Sequence, residues 1–333
     1  MPKIKNTPNP FSQGKETIQM CIVVLFLGLL STACQKTQKE QRMHDPEYLN
    51  VQANLVFFYY EDLAEAQRFY EDVLGLERVL DYGFASVHRI SQTSYIGLVD
   101  EKEGMHRASE PKTVTLAFVT EEVDEWYLYL KEKGIKCRGP VRNATRHPTR
   151  GFVAVDPGGY FLEFEIFLDH PQNEKLLRRL KNVESIYPKE NQATSRPQSL
   201  GVWANVIWLY YEELERAQHF YEDLFGLKLL VDQGFAKVYS SSPTAYIGLV
   251  DEAQGLHRFS REKAVNVSFI TEKVDAWYHH LRSRELTMRV PLDNAEQGLV
   301  RAFVTLDLAG YFLEFDWFND HEKNQKILGL LKK

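Results

Sequence analysis

Acidic side chains stand inside two strongly apolar runs. Glu163 lies in Phe161-Leu162-Glu163-Phe164-Glu165-Ile166-Phe167, and Glu314 lies in Phe312-Leu313-Glu314-Phe315-Asp316. Strand alternation puts Phe161, Glu163, Glu165 and Phe167 on one face and Leu162, Phe164 and Ile166 on the other. The second face is wholly apolar and packs on helices, so the acidic face looks into a hollow. If the turn before the strand has four residues, Arg150 falls diagonal to Glu163 on that face, and Arg301 stands in the same relation to Glu314. This register predicts a carboxylate held by arginine, which is stable without a metal and is equally a polar anchor for a ligand.

A second constellation is Gly104-Met105-His106-Arg107, repeated as Gly255-Leu256-His257-Arg258. A histidine and arginine at a pocket lip suit a polar or anionic ligand, with the imidazole able to carry a proton. The plainer reading is a loop histidine bonded to a neighbouring carbonyl. The other histidines do not form shared machinery, since His88 becomes Tyr239 and His147 becomes Gly298 in the second copy. The three cysteines, Cys21, Cys34 and Cys137, have no zinc-type spacing, and Met288 stands in the place of Cys137. No Ser-His-Asp order or Gly-rich phosphate loop is present. A net charge of −6, with no basic stretch interleaved with aromatics, argues against nucleic acid as a partner.

These residues recur because residues 53–169 and 204–320 are two copies of one segment, without a net gap. Asn54 matches Asn205, Tyr70 matches Tyr221, Trp126 matches Trp277 and Glu163 matches Glu314. In copy one, Ala53 to Tyr60 reads as a buried strand and Asp62 to Leu74 as an amphipathic helix ended by Gly75. Short strands follow at 77–80, 84–90 and 95–99. A second cycle opens with a strand at 114–119, a helix after the cap residue Thr120, and a hairpin around Asp156-Pro157-Gly158-Gly159. Each copy therefore holds two βαβββ cycles. A helix over 173–183 and a polar linker over 188–198 join the copies, and Asp169 and Asp320 are suited to cap the helices after them.

The N-terminus reads as a targeting segment. Lys3, Lys5 and Lys15 precede a short apolar run, Ile22 to Leu30, which is too short to cross a bilayer. Leu30-Ser31-Thr32-Ala33-Cys34 resembles a bacterial lipoprotein signal, although Ser31 stands where leucine is usual. This predicts a signal peptide over 1–33, lipidation of Cys34 or, since Ser31-x-Ala33 also fits ordinary signal peptidase, simple secretion, then a polar tether over 34–50 and a place in the bacterial cell envelope.

The motifs Phe69-Tyr70-Glu71-Asp72-Val73-Leu74-Gly75-Leu76 and Asp156-Pro157-Gly158-Gly159-Tyr160-Phe161-Leu162-Glu163-Phe164 are matched by Phe220 to Leu227 and by Gly310 to Phe315. In this order, and duplicated, they resemble the vicinal oxygen chelate superfamily, which includes glyoxalase I, extradiol dioxygenases and bleomycin-binding proteins. The resemblance implies an α+β fold with two tandem domains, 51–170 and 201–322, each with two βαβββ modules forming an open, cupped β-barrel with helices outside. Residues 171–200 would be helix and linker, and 323–333 a C-terminal helix.

The resemblance also implies where a metal would sit. Glu163 and Glu314 match the family's glutamate ligand. Its other ligand positions fall on Asn54 or Leu55, on Asn205 or Val206, and on Thr115 and Asn266, with no carboxylate in Tyr95-Ile96-Gly97-Leu98. A carboxylate with an amide and a hydroxyl is a poor transition-metal site. Tyr95 and Tyr246 are expected to line the cups. The expectation is thus a lipid-anchored small-molecule-binding protein with no cofactor and two domains packed on each other. The alternatives are a metal-dependent lyase or dioxygenase, and a structural module with filled cups.

Overall fold

The computed structural model describes residues 50–143, 148–292 and 298–332. The predicted signal peptide, Cys34 and all but the last residue of the tether lie outside the described residues. Module one comprises β1 (Ala53–Tyr60), α1 (Leu63–Arg68), β2 (Glu77–Asp81), β3 (Ala85–Arg89) and β4 (Ser94–Asp100). Module two comprises β5 (Val114–Val119), α2 (Val123–Glu132), β6 (Arg142–Asn143), β7 (Thr149–Val155) and β8 (Phe161–Phe167), and α3 (Glu174–Leu180) follows it. Module three comprises β9 (Ala204–Tyr211), α4 (Leu214–His219), β10 (Lys228–Asp232), β11 (Ala236–Ser240) and β12 (Ala245–Asp251). Module four comprises β13 (Val265–Ile270), α5 (Val274–Ser283), β14 (Met288–Val290), β15 (Val300–Leu306) and β16 (Phe312–Phe318), and α6 (Gln325–Leu331) follows it.

The fold is α+β, with two curled sheets of eight strands. Their orders are β14-β15-β16-β13-β1-β4-β3-β2 and β10-β11-β12-β9-β5-β8-β7-β6. Each sheet therefore joins modules from different copies: modules one and four make the first sheet, and modules three and two make the second. β1 pairs antiparallel with β13, from Ala53↔Ile270 to Phe58↔Val265, and β5 pairs antiparallel with β9. The sequence reading expects each cup to close within one copy, over 51–170 or 201–322, and the sheets cross that boundary. The physical reason lies in the duplication. β5 and β13 are near-equivalent strands, so strand chemistry alone gives β1 no preference between them. The two copies are packed together through both sheets.

Helix α1 begins at Asp62, whose carboxylate accepts from the Glu65 N–H at 2.8 Å. It continues as a π turn over Phe69–Val73, and copy two repeats this at Phe220–Leu224. The convex faces of both sheets and the helices over them form the main apolar cluster, around Phe58, Phe118, Trp126, Phe164, Trp277 and Phe315. Each concave face has its own cluster. Leu176 and Leu180 of α3 fill one end of the second sheet's hollow beside Phe167 and Tyr246, and Ile327 and Leu328 of α6 do the same beside Phe318 and Tyr95. The segments before these helices are capped by His170 and His321, which accept from Gln172 N and Lys323 N, and not by Asp169 and Asp320.

The repeated Asp-Tyr turn ties the two sheets together. Asp156 Oδ2 accepts from Tyr60 Oη at 2.6 Å and from Tyr70 Oη at 3.0 Å, while Oδ1 accepts from Tyr160 N. Tyr160 Oη accepts from Tyr59 N at 2.9 Å and donates to the Ala264 carbonyl at 2.6 Å, so a turn of the second sheet holds β1 and the approach to β13 in the first. Tyr311 does the converse with Tyr210 N and the Thr113 carbonyl. The linker between copies is equally fixed. Arg196, buried and lying over the Trp126 ring, donates to the carbonyls of Leu74, Ile186 and Leu200.

Candidate functional site

The hairpin that carries Glu163 has a five-residue turn, Asp156 to Tyr160, because Val155 pairs with Phe161. Glu163 consequently pairs with Val153, and Arg150 pairs with Ile166. A one-residue shift moves a side chain to the other face of a strand. Arg150 therefore points away from the hollow and binds Asp124 of α2 at 2.5 Å, and Arg301 likewise binds Asp275 of α5 at 2.6 Å. The predicted arginine–glutamate pairs do not exist.

Glu163 and Glu314 do face the hollows, and each has a second acidic neighbour two residues on. Glu163 is half-buried, and burial pushes its carboxyl up to about 7. Glu165 is buried, and burial followed by the charge of Glu163 holds it well above the usual carboxylate range, with the nearby Trp208 indole opposing them. The first sheet repeats this arrangement. Glu314 is pushed up to about 7 by burial, against the opposing bond from Asn266, and Asp316 is raised further by burial and by Glu314. A buried acid without a cation prefers the neutral form, and two on one strand face cannot easily both ionise.

The two hollows differ at one decisive position. In the first sheet, Asn266 Nδ2 donates to Glu314 Oε2 at 2.5 Å. The equivalent residue in the second sheet is Thr115, whose hydroxyl instead meets Tyr210 Oη at 2.8 Å. Glu163 thus makes no hydrogen bond or ion pair among the described residues. Above it lies a cavity of about 250 Å³, lined by Val153, Glu163, Glu165, Trp208, Tyr210, Phe235 and neighbouring residues. Glu165 Oε1 and Trp208 Nε1 are buried and have no partner in hydrogen-bond geometry among the described residues. A second cavity of about 310 Å³ shares Glu163, Thr149, Val153 and Leu256 with the first and is lined on its far side by Arg138 and Arg142.

Glycines make room for the aromatic walls. Gly248 pairs with Trp208, and a Cβ at Gly248 would lie 2.0 Å from the indole; Gly97 pairs with Phe57 and is similarly covered. The rim is made by the two Gly-x-His-Arg loops. His106 packs at 4.3 Å on Phe312 and at 5.0 Å on Tyr59, and His257 packs at 4.5 Å on Phe161 and at 4.9 Å on Tyr210. Burial, joined by the charge of Arg138, holds His257 down to about 4. His106 is also lowered by burial, despite its 2.7 Å bond to Glu110. Arg107 and Arg258 turn outward to the carbonyls of Glu101 and Glu252. The loops therefore present neutral imidazoles rather than cations.

The remaining expected site residues divide between the two faces. Thr115, Asn266, Tyr95 and Tyr246 face the hollows, the two tyrosines near the helix-filled ends. Asn54 and Asn205 do not. They lie fully buried on the convex face, where Asn54 N and Asn205 N bond the carbonyls of Thr93 and Thr244, and the cup-facing residues of those strands are Leu55 and Val206. Sequence reasoning missed Glu165, Asp316, Trp208 and Tyr210 as site residues. The signal available was the acid–x–acid spacing kept in both copies, together with the paired Gly97 and Gly248.

The donors around Glu163 are a second carboxyl, a threonine already bonded to tyrosine, an indole N–H and a glycine. Among the described residues, no three His, Cys, Asp or Glu side chains converge as a metal would require. This donor set does not fit the metal centre implied by the resemblance.

Residues 52–164 match the model of the Glyoxalase/Bleomycin resistance protein/Dioxygenase superfamily. Among solved structures, a "putative dioxygenase" from Bacillus subtilis is similar at 12% identity, covering 86% of this chain and 90% of that one, with a TM-score of 0.58. Glyoxalase I from Zea mays is similar at 15% identity, covering 85% of this chain and 95% of that one, with a TM-score of 0.54. A mutant form of that maize enzyme gives 16% identity, coverage of 85% and 95%, and a TM-score of 0.55. At these identities the likeness is one of fold. No curated relative matches the chain.

Proposed function

We propose that the protein, whose residues 52–164 match the glyoxalase/bleomycin resistance/dioxygenase superfamily model, binds a small organic molecule in the hollow of the second sheet, without a catalytic metal. The observation that carries this reading is the cavity of about 250 Å³ walled by Trp208, Tyr210, Phe235 and Val250, with the unpaired acids Glu163 and Glu165 at its floor. An apolar pocket with a few convergent polar groups is the usual form of a small-molecule site. The first sheet's hollow serves structure in this reading, because Asn266 already satisfies Glu314. The poor donor set supports a metal-independent mode. The basic leader, the short apolar run and Cys34 support a lipid-anchored form in a bacterial cell envelope.

The test is a thermal-shift screen of small aromatic compounds, before and after dialysis against a chelator, with wild type and Ala236→Phe. Ala236 lines the cavity, and phenylalanine there fills it. Binders that survive chelation and are lost in the variant support the reading. Binding that requires a metal removed by chelation, or that persists in Ala236→Phe, contradicts it.

A further inference from the structure

We propose that the group recognised at the floor of the second sheet's hollow is a cationic nitrogen, a protonated amine or amidinium carried on a flat apolar body. This deepens the proposed function and rests on it. The chemistry of the floor selects the ligand class. Glu163 and Glu165 project from one face of β8, and the arginine that could have neutralised them is turned to Asp124 by the strand register. Glu165 Oε1 is buried, lines the cavity and has no partner in hydrogen-bond geometry among the described residues. The Trp208 indole beside it acts on the carboxyl but stands outside hydrogen-bond geometry, so this atom can still accept a charged N–H donor, which gives the strongest bond to a carboxylate. Around it, Trp208, Tyr210 and Phe235 offer aromatic surface, which also attracts a cation.

The other polar groups facing the floor do not supply that cation. From β9, Tyr210 Oη is engaged with Thr115 Oγ1 of β5. From the rim, His257 is neutral at physiological pH, since it is held down to about 4. The Arg138 guanidinium lies over the Phe161 ring, 4.2 Å from its centre, and with Arg142 it lines the adjoining cavity. Without a cation, burial favours the protonated form of both acids. An arriving cation favours the ionised acids, so binding releases protons to solvent and tightens as pH rises, with the part due to Glu163 falling at about 7.

The experiment compares three probes of one size, phenylethylamine, phenylethanol and phenylpropionate, by calorimetry on the full chain, in two buffers of different ionisation enthalpy. Wild type, Glu163→Gln and Glu165→Gln are used, with circular dichroism to verify the fold. The amine is expected to bind about tenfold or more tighter than the alcohol, in line with a charge-assisted bond, and to release protons. That preference is expected to collapse in Glu165→Gln and to shrink in Glu163→Gln. Equal or tighter binding of the alcohol or the carboxylate, an amine preference unchanged in the folded glutamine variants, or no amine binding at all overturns the proposal. The wider reading fails separately, when no compound of any charge class gives binding that Ala236→Phe abolishes.

Discussion

Replacing Glu163 by glutamine removes a half-buried ionisable group and keeps its shape. The acid titrates at about 7 in the folded chain, against 4.5 ordinarily, because burial opposes its charge. Between these values the native state holds a proton that the unfolded chain has released, so this residue's contribution to stability falls as pH rises through the window. Above about 7 the loss is constant. Carrying a carboxyl from 4.5 to about 7 corresponds to about 3 kcal/mol. Glu163→Gln is therefore expected to match wild type near pH 4.5, to gain stability progressively above it, and to lead by up to about 3 kcal/mol at pH 7.5. The assay is urea unfolding at several pH values, read as the difference between the two proteins. The difference matters because His88, His106 and His257 are held down by burial and contribute the opposite slope, which cancels in the comparison. A variant less stable than wild type at pH 7.5 would refute the reasoning, because it would mean that the carboxylate is satisfied in the native state.

Three further outcomes follow from the geometry and a fourth from the sequence of the N-terminal segment. Tyr160→Phe removes the hydroxyl that serves Tyr59 N and the Ala264 carbonyl, and is expected to cost about 3 kcal/mol in chemical denaturation. Gly248→Ala drives a methyl into the Trp208 ring; a loss of about 1–3 kcal/mol and a change in tryptophan fluorescence are expected. Arg196→Ala strips the carbonyls of Leu74, Ile186 and Leu200 of their donors, and limited proteolysis is expected to cut first between residues 184 and 200. Cys34→Ala, in cells that process lipoproteins, is expected to move the protein from the membrane to the soluble fraction on centrifugation.

The elements were legible because their signals are local. The alternating faces of β8 and β16, the helix starting after Asp62 and the repeat itself all appear in the sequence. What remained hidden depended on one-residue registers and on non-local choice. Counting the hairpin turn as four residues rather than five sent Arg150 into the hollow, when in fact it lies on the opposite face. The same uncertainty on β1 left Asn54 and Leu55 undivided, and Leu55 is the residue that faces inward. The crossing of modules between copies could not be read, because two strands of like apolar pattern compete for each partner. The Asp156 and Tyr160 motif was visible as a family likeness, but its work as a tie between sheets emerges only from the bonds to Tyr59 and Ala264. The different partners of Glu163 and Glu314 follow from one substitution, Thr115 for Asn266, whose consequence depends on which neighbour each side chain reaches.

The most direct measurement is a crystal structure of the chain with a brominated phenylethylamine, with anomalous data at the bromine edge and at the edges of first-row metals. The account predicts bromine among Trp208, Tyr210 and Phe235, the amine on Glu165 and Glu163, and no metal peak. A metal ion on Glu163, or a ligand seated instead over Glu314 in the first sheet, would contradict it.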